Sequence, residues 1–421
     1  MRALVSARLG ADFTRLWTAS AVSNLGDGVT MAAGPLLVAS VTDDPVPIAG
    51  AVFAQQLPWL LFALISGAYV DRLDRRLLVV TVNLIRAAAL AVLTATIATE
   101  TVTVAVIYAV LFLLGTGETL ADTAMGALLP SVVDPEKLPS ANARLYATFT
   151  VANQFVAKPL GAWLFVISAA APFGLDALTF AAAAALIAGI RPAPPAPQSP
   201  PQSPPRDSSW ALSGASSDAS SDASLRGEIV EGVRWLGRHR LVRTLAVSMG
   251  MANVAFCAAF AVFVLYCRQR LGLSDVGYGF LLTAFAVGGL FGTAVAARLA
   301  RAFGGAAVLR AGLAIEVVTH LTLAVTTTPG VAAAVLIVFS VHSMVWGVTV
   351  ASVRQRVVPA HLRGRVGSVY ALLDLGGAAL GSLLGGLLAS VWEITTPFWV
   401  AAGAMTVITV CAWRPLREAT A

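Results

Sequence analysis

Long apolar runs separated by short polar segments occupy nearly the whole chain. A helix needs about 20 predominantly apolar residues to cross a bilayer, whereas the strands of a membrane barrel are shorter and alternate in polarity. The pattern therefore predicts an all-α membrane protein with twelve transmembrane helices. The runs form two groups of six: 14–41, 47–70, 77–98, 102–128, 140–168 and 173–190, then 242–266, 277–299, 305–326, 330–353, 366–391 and 396–413.

The composition supports the same interpretation. Hydrophobic residues make up 57% of the 421 residues and charged residues only 12%, and the mean hydropathy is +0.80. Soluble domains contain about 25% charged residues. This chain has too few charges to cover a surface that faces water, which excludes a soluble enzyme.

The arginines predict how the helices are oriented. If both termini are cytoplasmic, the inner segments contain most of the basic residues, and the outer loops contain only Arg268 and Arg270. Basic residues accumulate in the cytoplasmic segments of membrane proteins. We therefore expect both termini in the cytoplasm. The net charge of +6 then lies at the inner membrane surface, and we expect no nucleic-acid partner.

A polar interruption divides the chain. Residues 192–205 read PAPPAPQSPPQSPP, and the Ser/Ala/Asp-rich stretch that follows cannot bury an apolar core. We predict a six-helix bundle over 1–190, a disordered cytoplasmic linker over 191–226, and an amphipathic helix with a second six-helix bundle over 227–421. The amphipathic helix would lie on the inner leaflet. Its apolar residues are Ile229, Val230, Val233, Trp235 and Leu236.

A weak internal repeat relates the two groups of helices. Residues 135–138 (Pro-Glu-Lys-Leu) reappear as 359–362 (Pro-Ala-His-Leu), an offset of 224, and 71–75 correspond to 297–301, an offset of 226. Two pseudo-symmetric six-helix halves joined by a linker are typical of transporters whose substrate site lies between the halves.

Residues 67–76, Gly-Ala-Tyr-Val-Asp-Arg-Leu-Asp-Arg-Arg, resemble the signature of the major facilitator superfamily between helices 2 and 3. Segments 23–28, 228–236 and 354–359 make the chain most similar to its bacterial enterobactin and macrolide exporters. This resemblance implies a multi-pass protein of the bacterial plasma membrane. It also implies a conformational latch in which Asp71 pairs across the halves when the inner side is shut. The alternative is a charge cluster that only sets topology. The latch residues are Gly67, Asp71, Arg72, Arg75 and Arg76.

Two features differ from the drug/proton antiporters of that superfamily. Residues 157–161 read Ala-Lys-Pro-Leu-Gly where a glycine is expected in place of Lys158, and helix 4 has Gly115 and Gly117 but no arginine ahead of them. These differences leave the details of a proton relay open.

Acidic residues inside the predicted helices are candidates for proton coupling. Asp27 lies near the middle of helix 1, where a carboxylate is costly unless it faces a cavity or a partner. Glu118 and Asp122 are one turn apart on helix 4, so we expect one of them to hold a proton. The alternatives are an Asp27 carboxyl bound by helix-end amides and a purely structural ion pair between Arg86 and Asp122.

Polar and aromatic residues in other helices are candidates for a substrate cavity. Lys158 is the least expected of them, and it could pair with Asp27, Glu118 or Asp374 or attract an anionic substrate. Polar and aromatic groups in a mostly apolar cavity suit bulky, partly hydrophobic molecules. The candidates are Asn24, Asn153, Lys158, Asn253, His342, Trp346 and Asp374, with Gln154, Glu316 and His320 as weaker ones.

These observations predict a secondary active transporter, specifically a proton-coupled exporter of drug-like molecules, secondary metabolites or siderophores. Its expected partners are a small-molecule substrate, protons and the lipid bilayer, and we expect a monomer. Residues 115–117 (Gly-Thr-Gly) lie inside a span and no GxxxxGK[ST] motif occurs, so we expect no enzyme activity and no cofactor. Cys257, Cys267 and Cys411 lack metal-ligand spacing, so we expect no metal site. The alternatives are an importer of a small nutrient and a non-transporting sensor or scaffold that acts through 192–226.

Overall fold

The computed structural model describes residues 9–190, 231–359 and 362–420, and that part of the chain is helical without any strand. The predicted linker and Ile229 and Val230 lie outside it. The long helices, numbered in chain order, are α1 (Ala11–Val41), α2 (Pro45–Arg72), α3 (Arg75–Ala98), α4 (Val104–Val132), α5 (Leu138–Phe149, continued by the π-helical Thr150–Ala157 and by Lys158–Ile167), α6 (Ala171–Ala188), α7 (Arg240–Ala261), α8 (Asp275–Phe303), α9 (Gly305–Val325), α10 (Pro329–Val357), α11 (Arg363–Val391) and α12 (Thr396–Ala412).

Nine helices in the described ranges are long and apolar enough to cross a membrane. The other long segments are α1, α5 and the 17-residue α12. α1 has Asn24 and Asp27 near its middle, and the π-helical stretch divides α5 into shorter pieces. The number of twelve spans therefore stays a prediction, while the all-helical membrane architecture is confirmed.

Helices α1–α6, the N half, pack mainly against one another, and so do α7–α12, the C half. The halves meet where α2 packs on α11 and where α5 packs on α8. Glycine makes the first contact close, because a Cβ on Gly386 of α11 would lie 2.6 Å from the Cβ of Ala49 on α2. Small residues allow such close approach of helices in membranes.

The hydrophobic cores show where the halves separate. One core joins both halves at the end of the molecule that carries the loops after α1 and α11, which is the outer end in the predicted orientation. It includes Leu36 and Phe173 of the N half and Tyr266 and Phe398 of the C half. At the opposite, inner end each half has a core of its own. The cleft between the halves is therefore closed at the outer end and open towards the inner end.

Arg268 ties the halves together at the outer end. It lies in the π-helical stretch Tyr266–Arg270 that follows α7. Its Nη1 donates to the carbonyl oxygen of Ala39, in the last turn of α1, at 2.7 Å. Its Nε and Nη2 donate to Asp275 at 3.0 and 2.8 Å, which fixes the guanidinium in this position. We call this contact the outer clasp.

The segment before α7 docks on the C half. Residues 231–238 are helical, Leu236 is buried in the inner core of that half, and Glu231 forms an ion pair with Arg365 at the start of α11. Val233 is half exposed. The amphipathic helix predicted at the membrane surface is therefore also packed on protein.

Breaking the outer clasp should open the outer end. A hydrogen bond that involves a charged group contributes about 1.5–3 kcal/mol, and about 1.4 kcal/mol corresponds to a tenfold change in a population ratio. We expect Arg268→Ala to raise the population that is open at the outer end roughly tenfold. Asp43 and Glu393 line an outer pocket from the two halves. Spin labels attached at Asp43→Cys and Glu393→Cys would report the distance between the halves at the outer end by pulsed EPR.

Arg270→Ala is the matched control, because Arg270 donates to the carbonyl oxygens of Val325 and Thr326 within the C half. The labelled protein would carry Cys411→Ser, since Cys411 is the exposed thiol and Cys257 and Cys267 are buried. Equal distance distributions for wild type and Arg268→Ala would contradict the clasp.

Candidate functional site

An ion pair between α1 and α3 lies at the centre of the N half. Arg86 donates to the carboxylate of Asp27, and both side chains are buried. The guanidinium also stacks on Phe180 of α6, 3.8 Å from the ring centroid. Gly117 of α4 makes room for it, because a Cβ there would lie 2.6 Å from Cδ of Arg86. Among the described residues Arg86 thus pairs with Asp27, not with Asp122 as the alternative proposed.

A second buried carboxyl, Asp176 of α6, was missed by the sequence analysis. Its side chain is fully buried, accepts a hydrogen bond from Thr30 of α1 at 2.5 Å and lies 3.0 Å from the hydroxyl of Thr179. Gly26 of α1 allows this approach, since a Cβ there would overlap the Asp176 carboxyl and the Thr179 hydroxyl. A single acidic residue inside the apolar run 173–190 was the available signal.

Glu118 and Asp122 share one face of α4 and lie within electrostatic range of Asp27 and Arg86. Asp122 lines a polar pocket of about 30 Å³ together with Asn24, Asp27 and Arg86. Asp27, Glu118, Asp122 and Asp176 thus interact with one cation, Arg86, in the described part of the N half. Four carboxylates around one guanidinium in an apolar layer repel one another, so ionising all four at once is costly.

A cavity of about 420 Å³ lies between the halves. Its walls are formed by α5 of the N half and by α7–α11 of the C half. Five of the seven predicted cavity residues line it together: Lys158, Asn253, His342, Trp346 and Asp374. Its apolar wall is formed by Phe149, Phe155, Phe256, Phe285 and Phe339.

The other two predicted cavity residues lie inside the N half. Asn153, in the π-helical stretch of α5, is buried and donates to the carbonyl oxygen of Asn24 at 3.1 Å. Asn24 itself donates to the carbonyl oxygen of Ser20 at 2.7 Å. The Asn153 amide therefore connects α5 to α1, the Asn24 amide bonds within α1, and neither residue lines the central cavity.

Lys158 has a polar partner on its own helix. Its Nζ donates to Oε1 of Gln154 at 2.7 Å, and it forms no ion pair with Asp27, Glu118 or Asp374. Asp374 lies on the other side of the cavity, in α11, and accepts from Asn253 of α7 at 3.0 Å. The two opposite charges therefore line one cavity from different halves without touching.

The predicted latch is described only in part. Arg75 donates to the carbonyl oxygen of Ala127 at 3.2 Å, and Arg76 donates to those of Ile187 at 3.3 Å and Ala188. These three acceptors belong to the N half. The surroundings of Gly67 and the side chains of Asp71 and Arg72 lie outside the described part, so the pairing of Asp71 stays a prediction.

Adding a methyl group at position 26 should force α1 away from α6. Overpacking of this kind costs about 1–3 kcal/mol, so we expect Gly26→Ala to lower both the yield of folded protein and the thermal unfolding midpoint. Gly126→Ala on α4 is the matched control, because a Cβ there meets nothing within 4 Å. If both variants unfold at the wild-type temperature, the close contact with Asp176 is wrong.

Removing one member of the ion pair should destabilise the protein more than removing both. Breaking a buried pair costs about 3–5 kcal/mol, because a charge is left without a partner. We expect Arg86→Met to lower the unfolding midpoint and Arg86→Met with Asp27→Asn to recover most of the loss. Thermal unfolding of the purified variants measures this. A double variant no more stable than Arg86→Met would contradict the pairing.

The comparison with protein-family models identifies one family. The model of the Major Facilitator Superfamily matches residues 16–371 and 244–421. No curated protein matches the chain. Among solved structures, a mutant form of the nucleoside transporter NupG is 11% identical with a TM-score of 0.71, covering 96% of this chain and 99% of that one.

Two further structures have similar folds. A bacterial homologue of the iron transporter ferroportin in the inward-facing state is 17% identical with a TM-score of 0.71, covering 96% of this chain and 98% of that one. A bacterial homologue of the human lysosomal transporter Spinster, inward-facing and occupied, is 11% identical with a TM-score of 0.68, covering 97% and 92%. The helical membrane fold and the match over most of the chain lead to one conclusion: the protein is a multi-pass membrane transporter, not an enzyme, and belongs to the Major Facilitator Superfamily.

Proposed function

We propose that the protein is a proton-coupled exporter of bulky, partly hydrophobic small molecules that works by alternating access. The observation that carries this proposal is the cavity between the halves, which combines aromatic walls with polar and charged side chains from both halves. The shared core closes the outer end, and the separate inner cores leave the inner end open. In the predicted orientation a cytoplasmic molecule would reach this cavity directly.

The lining of the cavity supports the proposed substrate class. Phenylalanine rings provide a large apolar contact area, and a few polar groups among them orient a ligand. Lys158 and Asp374 face the cavity from opposite halves without forming an ion pair. A molecule that contacts both would favour closure of the inner end, because its charges or dipoles would connect the halves.

The carboxyl cluster of the N half supports proton coupling. Asp27 and Arg86 hold α1 and α3 together as long as Asp27 is ionised. Protonation of Asp27 removes the attraction and leaves Arg86 to the neighbouring acids on α4 and α6. Because α1 packs on α5, which lines the cavity from the N half, a change in this pairing would alter the preference between the inward-open and outward-open states.

Three alternatives differ in what they require. An importer of a small nutrient needs a more polar cavity than one walled by phenylalanines. A metal exporter needs ligands, and the described residues contain no group of three or more His, Cys, Asp or Glu that could hold a metal ion. A scaffold acting through 192–226 would lose its activity when that segment is deleted, whereas a transporter would keep it.

Growth and vesicle assays would test export directly. We expect an efflux-deficient host expressing the protein to survive higher concentrations of hydrophobic antibiotics or siderophore-like compounds, and Asp27→Asn to abolish this protection. In proteoliposomes with an imposed pH gradient, adding each protective compound should cause protons to cross the membrane through the protein. A pH-sensitive dye would follow this movement.

Glu393→Gln removes a carboxylate from the outer loop between α11 and α12. It is the matched control and should behave as wild type. Deletion of 192–226 should leave the protection intact. Well-expressed protein that moves no protons with any compound would contradict a proton-coupled exporter.

A further inference from the structure

Glu316 of α9 is a buried carboxylate in the wall of the central cavity, and the coupling scheme above makes no use of it. The residue is only 7% exposed. One oxygen, Oε1, lies 3.2 Å from Nε2 of His342 on α10. The other oxygen, Oε2, is buried and has no hydrogen-bond partner among the described residues. A carboxylate with one donor in an apolar layer is only partly satisfied.

His320 does not provide the missing donor. Its Nδ1 lies 3.7 Å from Oε2, beyond hydrogen-bonding distance, and 2.8 Å from the backbone carbonyl oxygen of Glu316. Since a carbonyl oxygen can only accept, Nδ1 carries its hydrogen towards that carbonyl. In the described part of the chain no lysine or arginine lies within 4.0 Å of Glu316.

Aromatic rings line the cavity around this carboxylate. His342 makes edge-to-face contacts with Phe339 and Trp346, with ring centroids 6.0 and 5.9 Å apart. Phe339 stacks on Phe256 at 5.6 Å, and both contact Phe285. The face of an aromatic ring attracts cations, and aromatic cages are used to recognise quaternary ammonium groups.

The other charged groups of the cavity already have hydrogen-bond partners. Lys158 donates to Gln154, and Asp374 accepts from Asn253. Glu316 is therefore the carboxylate of this cavity that combines burial, an unpartnered oxygen and surrounding aromatic rings.

We propose that Glu316 binds the positive charge of an organic cation, an ammonium or phosphonium compound, while Phe256, Phe339 and Trp346 hold its apolar groups. This inference rests on the proposed function and narrows it, because the transported molecules would carry a positive charge. His342 orients the carboxylate, and the cation supplies a neutralising positive charge near Oε2.

Tetraphenylphosphonium and triphenylphosphine oxide are suitable probes, because both carry phenyl rings on phosphorus but only the first is charged. We expect the full-length protein in nanodiscs to bind the phosphonium ion, and Glu316→Gln to weaken this binding at least tenfold in an equilibrium assay. Binding of the neutral oxide should change less than twofold. Glu393→Gln, which removes a carboxylate outside the cavity, should bind both probes as wild type does.

The amide variant should fold, because glutamine can still accept a hydrogen bond from His342 and removes a buried charge that no lysine or arginine of the described residues neutralises. Its unfolding midpoint should equal or exceed that of wild type. If it nevertheless aggregates, Glu316→Asp serves instead, because it retains the charge and should still bind the phosphonium ion more tightly than the oxide.

Several outcomes would overturn this inference. They are phosphonium binding that Glu316→Gln leaves unchanged, tighter binding of the oxide than of the phosphonium ion by wild type, and no binding of the phosphonium ion at all. None of these contradicts export itself, which fails only if no compound moves protons in the vesicle assay. The two proposals can therefore be judged separately.

Discussion

A charged group inside the apolar layer of a membrane is stable only if it finds a partner, a proton or water, and this constraint organises the interior of the protein. In the N half, Arg86 holds α1 to α3 through Asp27 and stacks on α6 through Phe180. Further carboxyls on α4 and α6 surround the pair. The number of protons bound by these carboxyls and the packing of α1, α3, α4 and α6 therefore depend on one another. Glycines at 26 and 117 provide the space that these polar contacts need.

The same constraint links the charged sites to the cleft. At the outer end, the guanidinium of Arg268 satisfies a carbonyl at the end of α1 and so joins the halves. Deeper in the cleft, Lys158 and Asp374 are kept apart by the cavity, and Glu316 has an oxygen without a partner among the described residues. Groups that are only partly satisfied while the cleft is open at one end can be satisfied by a substrate, by a proton or by closure of the cleft. Transport requires this kind of difference between states.

The helices follow closely from the sequence. The run predicted over 77–98 is α3, Arg75–Ala98, and the run predicted over 366–391 is α11, Arg363–Val391. The repeat also has a structural counterpart, since 71–75 run from the end of α2 to the start of α3 and 297–301 lie in the last two turns of α8. The π-helical stretch in α5 was not foreseen, because Thr150–Ala157 has the same apolar character as an ordinary span.

The apolar runs determined on their own that the chain is a helical membrane protein, because the cost of burying polar groups in lipid acts on each segment separately. The repeat and the 67–76 motif indicated a transporter. Tertiary structure alone decided the partners of the charged residues. The sequence places Asp27, Arg86, Asp176 and Glu316 inside apolar runs, but only helix packing brings Asp27 to Arg86, Thr30 to Asp176 and His342 to Glu316. A helical period specifies the face on which a residue lies, whereas its partner depends on which helix packs against that face and at what depth.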